Sequence, residues 1–271
     1  MPDLYAVIGN PVAHSKSPQI HAEFARQTGQ NMTYAHLLAP LDGFIATASA
    51  FRARGGRGVN VTLPFKGEAF RYATCLSERA RAAQAVNTLR FEDDAIYGDN
   101  TDGAGLVNDV TRNLGFAITG QRVLLLGAGG AARGVLKPLL ELQPACSVLA
   151  NRTLSKAQQF AQSFGSGVEA LAYAALAGRQ FDFVINATSA SLAGALPPLP
   201  PGLFADGALA YDMMYGKGET PFLAFARDEG AATLADGLGM LVEQAAESFV
   251  VWRGLRPDTA PVLKLLRRAS A

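Results

Sequence analysis

Apolar residues arrive along this chain in short bursts separated by longer amphipathic stretches. Tyr5 to Ile8 is the first burst. After Pro18 a helical pattern follows, with Ile20, Phe24 and Thr28 recurring on one face until Gly29 stops it. Tyr34 to Leu38 is a second burst, Asp42 to Arg54 a second predicted helix, and Val59 to Leu63 a third burst. Bursts too short for helices, joined by amphipathic segments that can cross back over a sheet, predict an α/β layer. Thr88 to Phe91 and Ala95 to Tyr97, separated by Glu92-Asp93-Asp94, predict a hairpin added to that sheet.

A more regular rhythm starts at Gln121. Arg122 to Leu126 reads as a buried strand, Ala131 to Leu142 as a helix, Ser147 to Ala150 as a strand and Ser155 to Phe164 as a helix. Phe181 to Ile185 and Ala208 to Tyr211 continue the parallel series, the latter after a proline-rich loop from Pro197 to Pro201. The tail breaks the alternation. Asp236 to Trp252 and Pro261 to Arg268 predict two successive amphipathic helices, expected to cross back and finish on the first half. No internal repeat or low-complexity segment is found.

Composition narrows the partners. At 271 residues the chain favours about two domains, and 49% hydrophobic residues are ample for their cores. Charged residues make up 17% and the formal net charge is +1, so no global field recruits nucleic acid or an anionic membrane. Binding must be local. No apolar run approaches the roughly 20 residues of a membrane span, and the first ten residues lack the pattern of a signal peptide, so a cytoplasmic protein is expected. Cys75 and Cys146 lie outside any paired motif and read as two reduced core thiols. His14, His21 and His36 form no cluster with cysteine, and no metal site is expected. Oligomeric state is left open, a homodimer included.

Gly127-Ala128-Gly129-Gly130-Ala131-Ala132 directly follows a predicted strand and opens a helix, the setting in which G-x-G-x-x-G/A binds a dinucleotide. Gly127 permits the tight turn, Gly129 lets backbone approach a pyrophosphate, and Ala132 stands where a small residue packs helix on sheet. Taken alone, the string also reads as an ordinary glycine-rich turn. The end of the next strand adds to it. A carboxylate there would bind the ribose hydroxyl of NAD and repel a phosphate. The chain instead has Asn151-Arg152-Thr153, with Lys156 one turn later, which favours a 2′-phosphate and hence NADP(H). Arg152 and Lys156 can equally be solvated charges at a helix start.

Asn60-Val61-Thr62-Leu63-Pro64-Phe65-Lys66 carries the candidate chemistry. Alternation sends Asn60 and Thr62 to one face and Val61 and Leu63 to the other, and Pro64 ends the ladder. An amide, a hydroxyl and then a cation at one edge suit a small polar molecule. Gly98-Asp99-Asn100-Thr101-Asp102-Gly103 supplies Asp102 as a carboxylate partner for Lys66. The pair can be an ion pair joining a strand end to a helix start; the Asn and Thr beside it favour catalysis. In His14-Ser15-Lys16-Ser17-Pro18, Ser17 is a natural N-cap worth about 1 kcal/mol, and Ser15 and Ser17 together also make a carboxylate site.

Ser15 to Pro18, Asn60 to Lys66, Ala85-Val86-Asn87-Thr88 and Gly98 to Gly103 together closely resemble the shikimate dehydrogenases. Asn186-Ala187-Thr188-Ser189, Tyr211 to Tyr215, Thr220-Pro221-Phe222 and Asp236 to Ala246 extend the resemblance over nearly the whole chain. It implies an NADPH-dependent reduction of 3-dehydroshikimate to shikimate on the route to aromatic amino acids. It implies residues 1–103 plus 238–271 as a substrate domain and 104–237 as a Rossmann-type, doubly wound NADP-binding domain, with a hydride crossing between them. Ser15 and Ser17 would hold the substrate carboxylate. Asn60, Thr62, Asn87, Tyr215 and Gln244 would bind its oxygens, and Lys66 and Asp102 would be the catalytic pair. Gly127, Ala128, Gly129, Gly130, Ala131, Asn151, Arg152, Thr153 and Lys156 would bind the cofactor, with Met213 and Gly237 near the nicotinamide. A quinate/shikimate dehydrogenase with relaxed cofactor use and a non-catalytic metabolite- or nucleotide-binding homologue are the competing readings.

Overall fold

The computed structural model describes residues 1–188, 190, 194–216 and 218–270. Ser189, the last residue of the Asn186 motif, lies outside the described residues. The chain divides into two compact units: Met1–Gly105 with Val242–Leu265, and Leu106–Leu241 with Leu266 and the residues after it.

The first unit holds β1 (Asp3–Gly9), α1 (Ser17–Thr28), β2 (Met32–Leu38), α2 (Phe44–Ala53), β3 (Gly56–Val61), α3 (Lys66–Tyr72), β4 (Cys75–Leu76), α4 (Glu78–Ala83), β5 (Thr88–Phe91) and β6 (Ile96–Asp99). Its six-stranded sheet runs β2-β1-β3-β5-β6-β4. β1 pairs in parallel with β2 and β3, and the hairpin β5-β6 adds antiparallel to β3. Successive residues feed opposite layers, as a pleated strand requires. Val59 and Val61 of β3 enter a core with Ala6, Ile8, Phe44, Phe65 and Leu89. On the other face Gly58 leaves room for Trp252, whose indole N–H donates to the Leu89 carbonyl at 2.9 Å. Trp252 lies on α9 (Leu238–Arg253) and packs on His21 of α1, while Phe249 of the same helix meets His21 and Phe24. Asn60 shares that second face, which decides what its amide meets.

The second unit begins inside α5 (Asp102–Asn108) and continues through a π-helical turn at Asp109–Asn113. It holds β7 (Arg122–Leu126), α6 (Gly130–Glu141), β8 (Cys146–Ala150), α7 (Leu154–Gln162), β9 (Glu169–Leu171), β10 (Phe181–Asn186), β11 (Phe204–Asp212), α8 (Pro221–Asp228) and β12 (Thr233–Asp236). The strands form a parallel sheet in the order β12-β11-β10-β7-β8-β9. In β7, Val123 and Leu125 enter one apolar layer while Leu124 and Leu126 enter the other, so the sheet is covered on both faces. The strand order reverses between β7 and β10, the place where such sheets bind ligands. A last helix, α10, spans Ala260–Ser270. No helix among the described residues is long and apolar enough to cross a membrane.

Four local expectations are corrected. β3 stops at Val61, and Leu63 is 67% exposed rather than on the hidden face, because the chain has already left the ladder. Asp236 closes a strand, β12, before α9 starts at Leu238. Ser17 does not cap α1: that helix has no side-chain cap, and the Ser17 backbone N–H donates to the Ser15 hydroxyl instead. Cys75 is free but exposed on β4, so it is no core thiol; Cys146 is free and half-buried.

Candidate active site

In the first unit, α3 begins at Lys66 immediately after buried Phe65, and α5 begins at Asp102. The two side chains meet: Lys66 Nζ lies 2.6 Å from Asp102 Oδ2. The other carboxylate oxygen accepts from Asn87 Nδ2 at 2.8 Å. Asn87 is fixed in turn, because its side-chain carbonyl accepts the Thr101 backbone N–H at 2.9 Å. Its amide nitrogen also lies 3.3 Å from Gln244 Oε1. The Lys66 side chain is 26% exposed against 9% for Asp102, so the ammonium reaches outward while the carboxylate stays behind it. A cation held by an almost buried acid and open on one side is placed to meet an oxygen that gains charge.

The loop that carries Asp102 is anchored from beneath. Asp99, 2% exposed, accepts from Arg79 Nε and Nη2, both at 2.7 Å, and from the Ser77 hydroxyl at 2.5 Å. Asn100 then accepts the Asp102 backbone N–H at 3.1 Å. Burial opposes the Asp99 charge, but the Arg79 guanidinium outweighs it and holds the carboxyl below its ordinary value.

Asn60 is 6% exposed, and its amide is occupied within the fold. Nδ2 donates to Ser248 Oγ at 2.9 Å and to Thr88 Oγ1 at 3.1 Å, while Oδ1 accepts from the Tyr34 hydroxyl at 2.7 Å. Thr62 remains half-buried, and its methyl packs over Gly9, where no side chain would fit. Ser15 and Ser17 are joined hydroxyl to hydroxyl at 3.1 Å.

The second unit presents the glycine turn at the end of β7. Gly127 has φ +104°, a conformation that excludes other side chains, and a Cβ there would press on Thr188 and the Ala187 carbonyl. Around Gly129 and Gly130 there is open space, and Ala132 behind them is fully buried. Ala128 packs against the core and Ala131 is exposed beside the helix start. The strand-end corner after β8 carries Arg152, Thr153 and Lys156, all exposed, with Asn151 donating to the Thr153 carbonyl at 2.9 Å. Open backbone at a helix N-terminus beside two cations fits a phosphorylated dinucleotide. Gly237 lies so close to the Met213 backbone that a Cβ there would overlap its carbonyl. Buried Asp212 braces the same loop, accepting from the Met214 N–H at 3.0 Å and the Thr220 hydroxyl at 2.6 Å. Tyr215 is also carried by this unit, and burial pushes its phenol above the ordinary value.

Comparison with known proteins decides the family. Residues 7–89 match the shikimate dehydrogenase substrate binding domain, 109–193 the shikimate / quinate 5-dehydrogenase model, and 237–267 the shikimate 5'-dehydrogenase C-terminal domain. The chain is 66% identical over 269 residues to shikimate dehydrogenase (NADP(+)) of Nitrosospira multiformis, covering 98% of each chain. The chain belongs to the shikimate dehydrogenase family.

Solved relatives agree. An Ael1 enzyme from Pseudomonas putida superimposes with a TM-score of 0.93 at 51% identity, covering 97% of this chain and 98% of that one. Shikimate 5-dehydrogenase from Thermus thermophilus, solved in complex with NADP(H) and shikimate, gives 0.88 at 33% identity over 98% and 99%. Some residues at this site carry no separate sequence signal. Thr101, fully buried, bonds Asn87 and Gln244, yet read only as part of a turn motif. Ser248 lies one helical turn after Gln244 on α9, a spacing that puts both on one face and could have found it. His21 and Tyr34 read as plain helix and strand positions, and only tertiary packing brings both to Asn60.

Proposed function

We propose that the chain catalyses the NADPH-dependent, reversible reduction of 3-dehydroshikimate to shikimate, on the route to chorismate and the aromatic amino acids. The observation that carries this reading is the Lys66–Asp102 contact of 2.6 Å with Asn87 on the second carboxylate oxygen. NADPH, when bound, supplies the hydride. As the substrate C=O bond opens, its electron pair moves onto oxygen, and Lys66 stabilises that charge and gives a proton to form the alcohol. Asp102 holds the ammonium in place and shares its proton; in the oxidative direction the pair takes the alcohol proton back. Asn87 and Gln244 orient the ring oxygens, with Thr62 and Tyr215 as further contacts. Ser15 and Ser17 hold the carboxylate. Asn60 supports the site by fixing Thr88 and Ser248 beside Asn87.

For the cofactor, the Gly127–Ala131 turn takes the pyrophosphate, while Asn151, Arg152, Thr153 and Lys156 take the adenosine end with its 2′-phosphate. Met213 and Gly237 border the nicotinamide. The test is a matrix of shikimate and quinate against NADP and NAD, followed by nicotinamide absorbance. Shikimate with NADP is expected to give the highest kcat/KM by about tenfold or more. Equal rates with quinate or NAD point to the relaxed relative, and no turnover in any cell overturns the reading.

A further inference from the structure

Arg79 takes no part in that mechanism, yet it joins two elements of the first unit that carry the site. It stands in the first turn of α4, where the helix dipole disfavours a cation, so α4 itself does not account for it. Its guanidinium is divided between two acids. Nε and Nη2 take the two oxygens of Asp99 at 2.7 Å each, and Nη1 reaches Glu247 Oε2 at 3.4 Å. Asp99 ends β6, and its Oδ1 also accepts the Asn100 backbone N–H at 2.7 Å. Asn100 passes the placement on, since its Nδ2 donates to the Ala85 carbonyl at 3.0 Å while its Oδ1 accepts the Asp102 N–H. Glu247 lies on α9 three residues after Gln244, so the two are neighbours along one helix face. Gln244 Oε1 in turn meets Asn87 Nδ2 at 3.3 Å and the Thr101 hydroxyl at 3.4 Å. Arg256 holds the same stretch of α9 by bonding both Glu247 and Glu243, and Glu243 also accepts the Thr259 hydroxyl at 2.5 Å.

The charges thus alternate from Asp99 through Arg79, Glu247 and Arg256 to Glu243, and most of this ladder is withdrawn from water. The Asp99 side chain is 3% exposed, Glu247 16% and Arg79 29%. A planar fork bound at three nitrogens fixes direction as well as distance, which an ammonium supplying the same charge cannot do. We propose that Arg79 is a positioning residue that sets Asp102 and Gln244 relative to each other. Through Asp99 and Asn100 it fixes where Asp102 stands behind Lys66. Through Glu247 it fixes the rotation of α9, and with it the reach of Gln244 toward Asn87 and the substrate oxygens. The inference rests on the proposed substrate, since Gln244 is given its role by that reading.

Arg79→Lys keeps the charge and loses the fork, while Glu247→Gln keeps the Asp99–Arg79 bonds and weakens only the arm to α9. Both are compared with wild type by oxidation of shikimate with NADP and by thermal melting. Arg79→Lys is expected to lower kcat about tenfold and raise KM for shikimate about fivefold, with KM for NADP within about twofold of wild type. Glu247→Gln is expected to raise KM for shikimate about threefold and leave kcat within about twofold. A ladder that only stabilises the fold gives another pattern. Melting temperatures that fall while kcat and KM for shikimate keep their wild-type values, or KM values for shikimate and NADP that rise alike, overturn the proposal. If Arg79→Lys does not fold, Glu247→Gln decides by the same split. Wild type that oxidises no shikimate removes the substrate assignment and this inference with it, whereas active wild type with unchanged variants contradicts the role of Arg79 alone.

Discussion

Lys66, Asp102 and Asn87 form a site in which every buried polar group has a partner and one cation has a free side. Breaking such a pair by removing one member leaves an uncompensated charge, at a cost of about 3–5 kcal/mol when burial is complete and less here, since the ammonium is partly solvated. Asp102→Asn should therefore fold while losing turnover, a split that melting curves and initial rates of the same preparation will read. His21 is the residue whose environment predicts a pH effect. Burial, partly offset by the Asn60 bond, lowers its pKa from 6.5 to about 3, so between these values the unfolded chain binds a proton that the folded chain refuses. Stability thus falls as pH drops below 6.5, by about 1.4 kcal/mol per unit. Urea midpoints between pH 7 and 5, above the carboxylate range, should show this slope, and His21→Gln should flatten it. The charged residues of the site were legible because Lys66 and Asp102 sit in short polar strings. His21, Tyr34 and Ser248 were not, because each looks like its neighbours until folding brings it to Asn60.

Among the elements, two junctions set the second unit's chemistry. The start of α9 is pinned by buried Asp109, which accepts from the Tyr211 hydroxyl at 2.7 Å and crowds the Cα of Gly239. Gly239→Ala would drive a methyl group into that carboxylate. Overpacking of this kind costs about 1–3 kcal/mol, and the Tm should fall by roughly 3–10 °C in calorimetry. At the other junction, Arg152→Ala should raise KM for NADPH by about tenfold and leave that for NADH nearly unchanged; equal effects on both would mean the guanidinium meets no phosphate. Long elements were readable from periodicity, as α6 and β7 show. The strands missed, β4, β9 and β12, span two to four residues, too few for a period to emerge, and they exist because a neighbouring strand edge offers them pairing. The same tertiary logic exposes Leu63, since alternation holds only while the ladder continues.

At the scale of the whole molecule, two rhythms in the sequence became two six-stranded sheets, one mixed and one parallel. The hairpin's acidic turn foretold the antiparallel part, and the glycine string foretold the turn after β7. What periodicity could not supply was the exact crossing of the chain, which divides both α5 and α9 within their lengths rather than at a loop. Near-neutral charge left no global field for nucleic acid or an anionic membrane, while the Asn60–Lys66 and glycine strings pointed to a small-molecule enzyme, and family membership agrees with it. The central claim, that the Lys66 ammonium backed by Asp102 moves the proton that accompanies hydride transfer, is tested most directly by Lys66→Ala, with kcat and the NADPH dissociation constant measured on one preparation. The prediction is a kcat lowered by about 10²–10⁴ with NADPH binding within about twofold of wild type. A kcat near wild type, or parallel loss of turnover and cofactor binding, would contradict it.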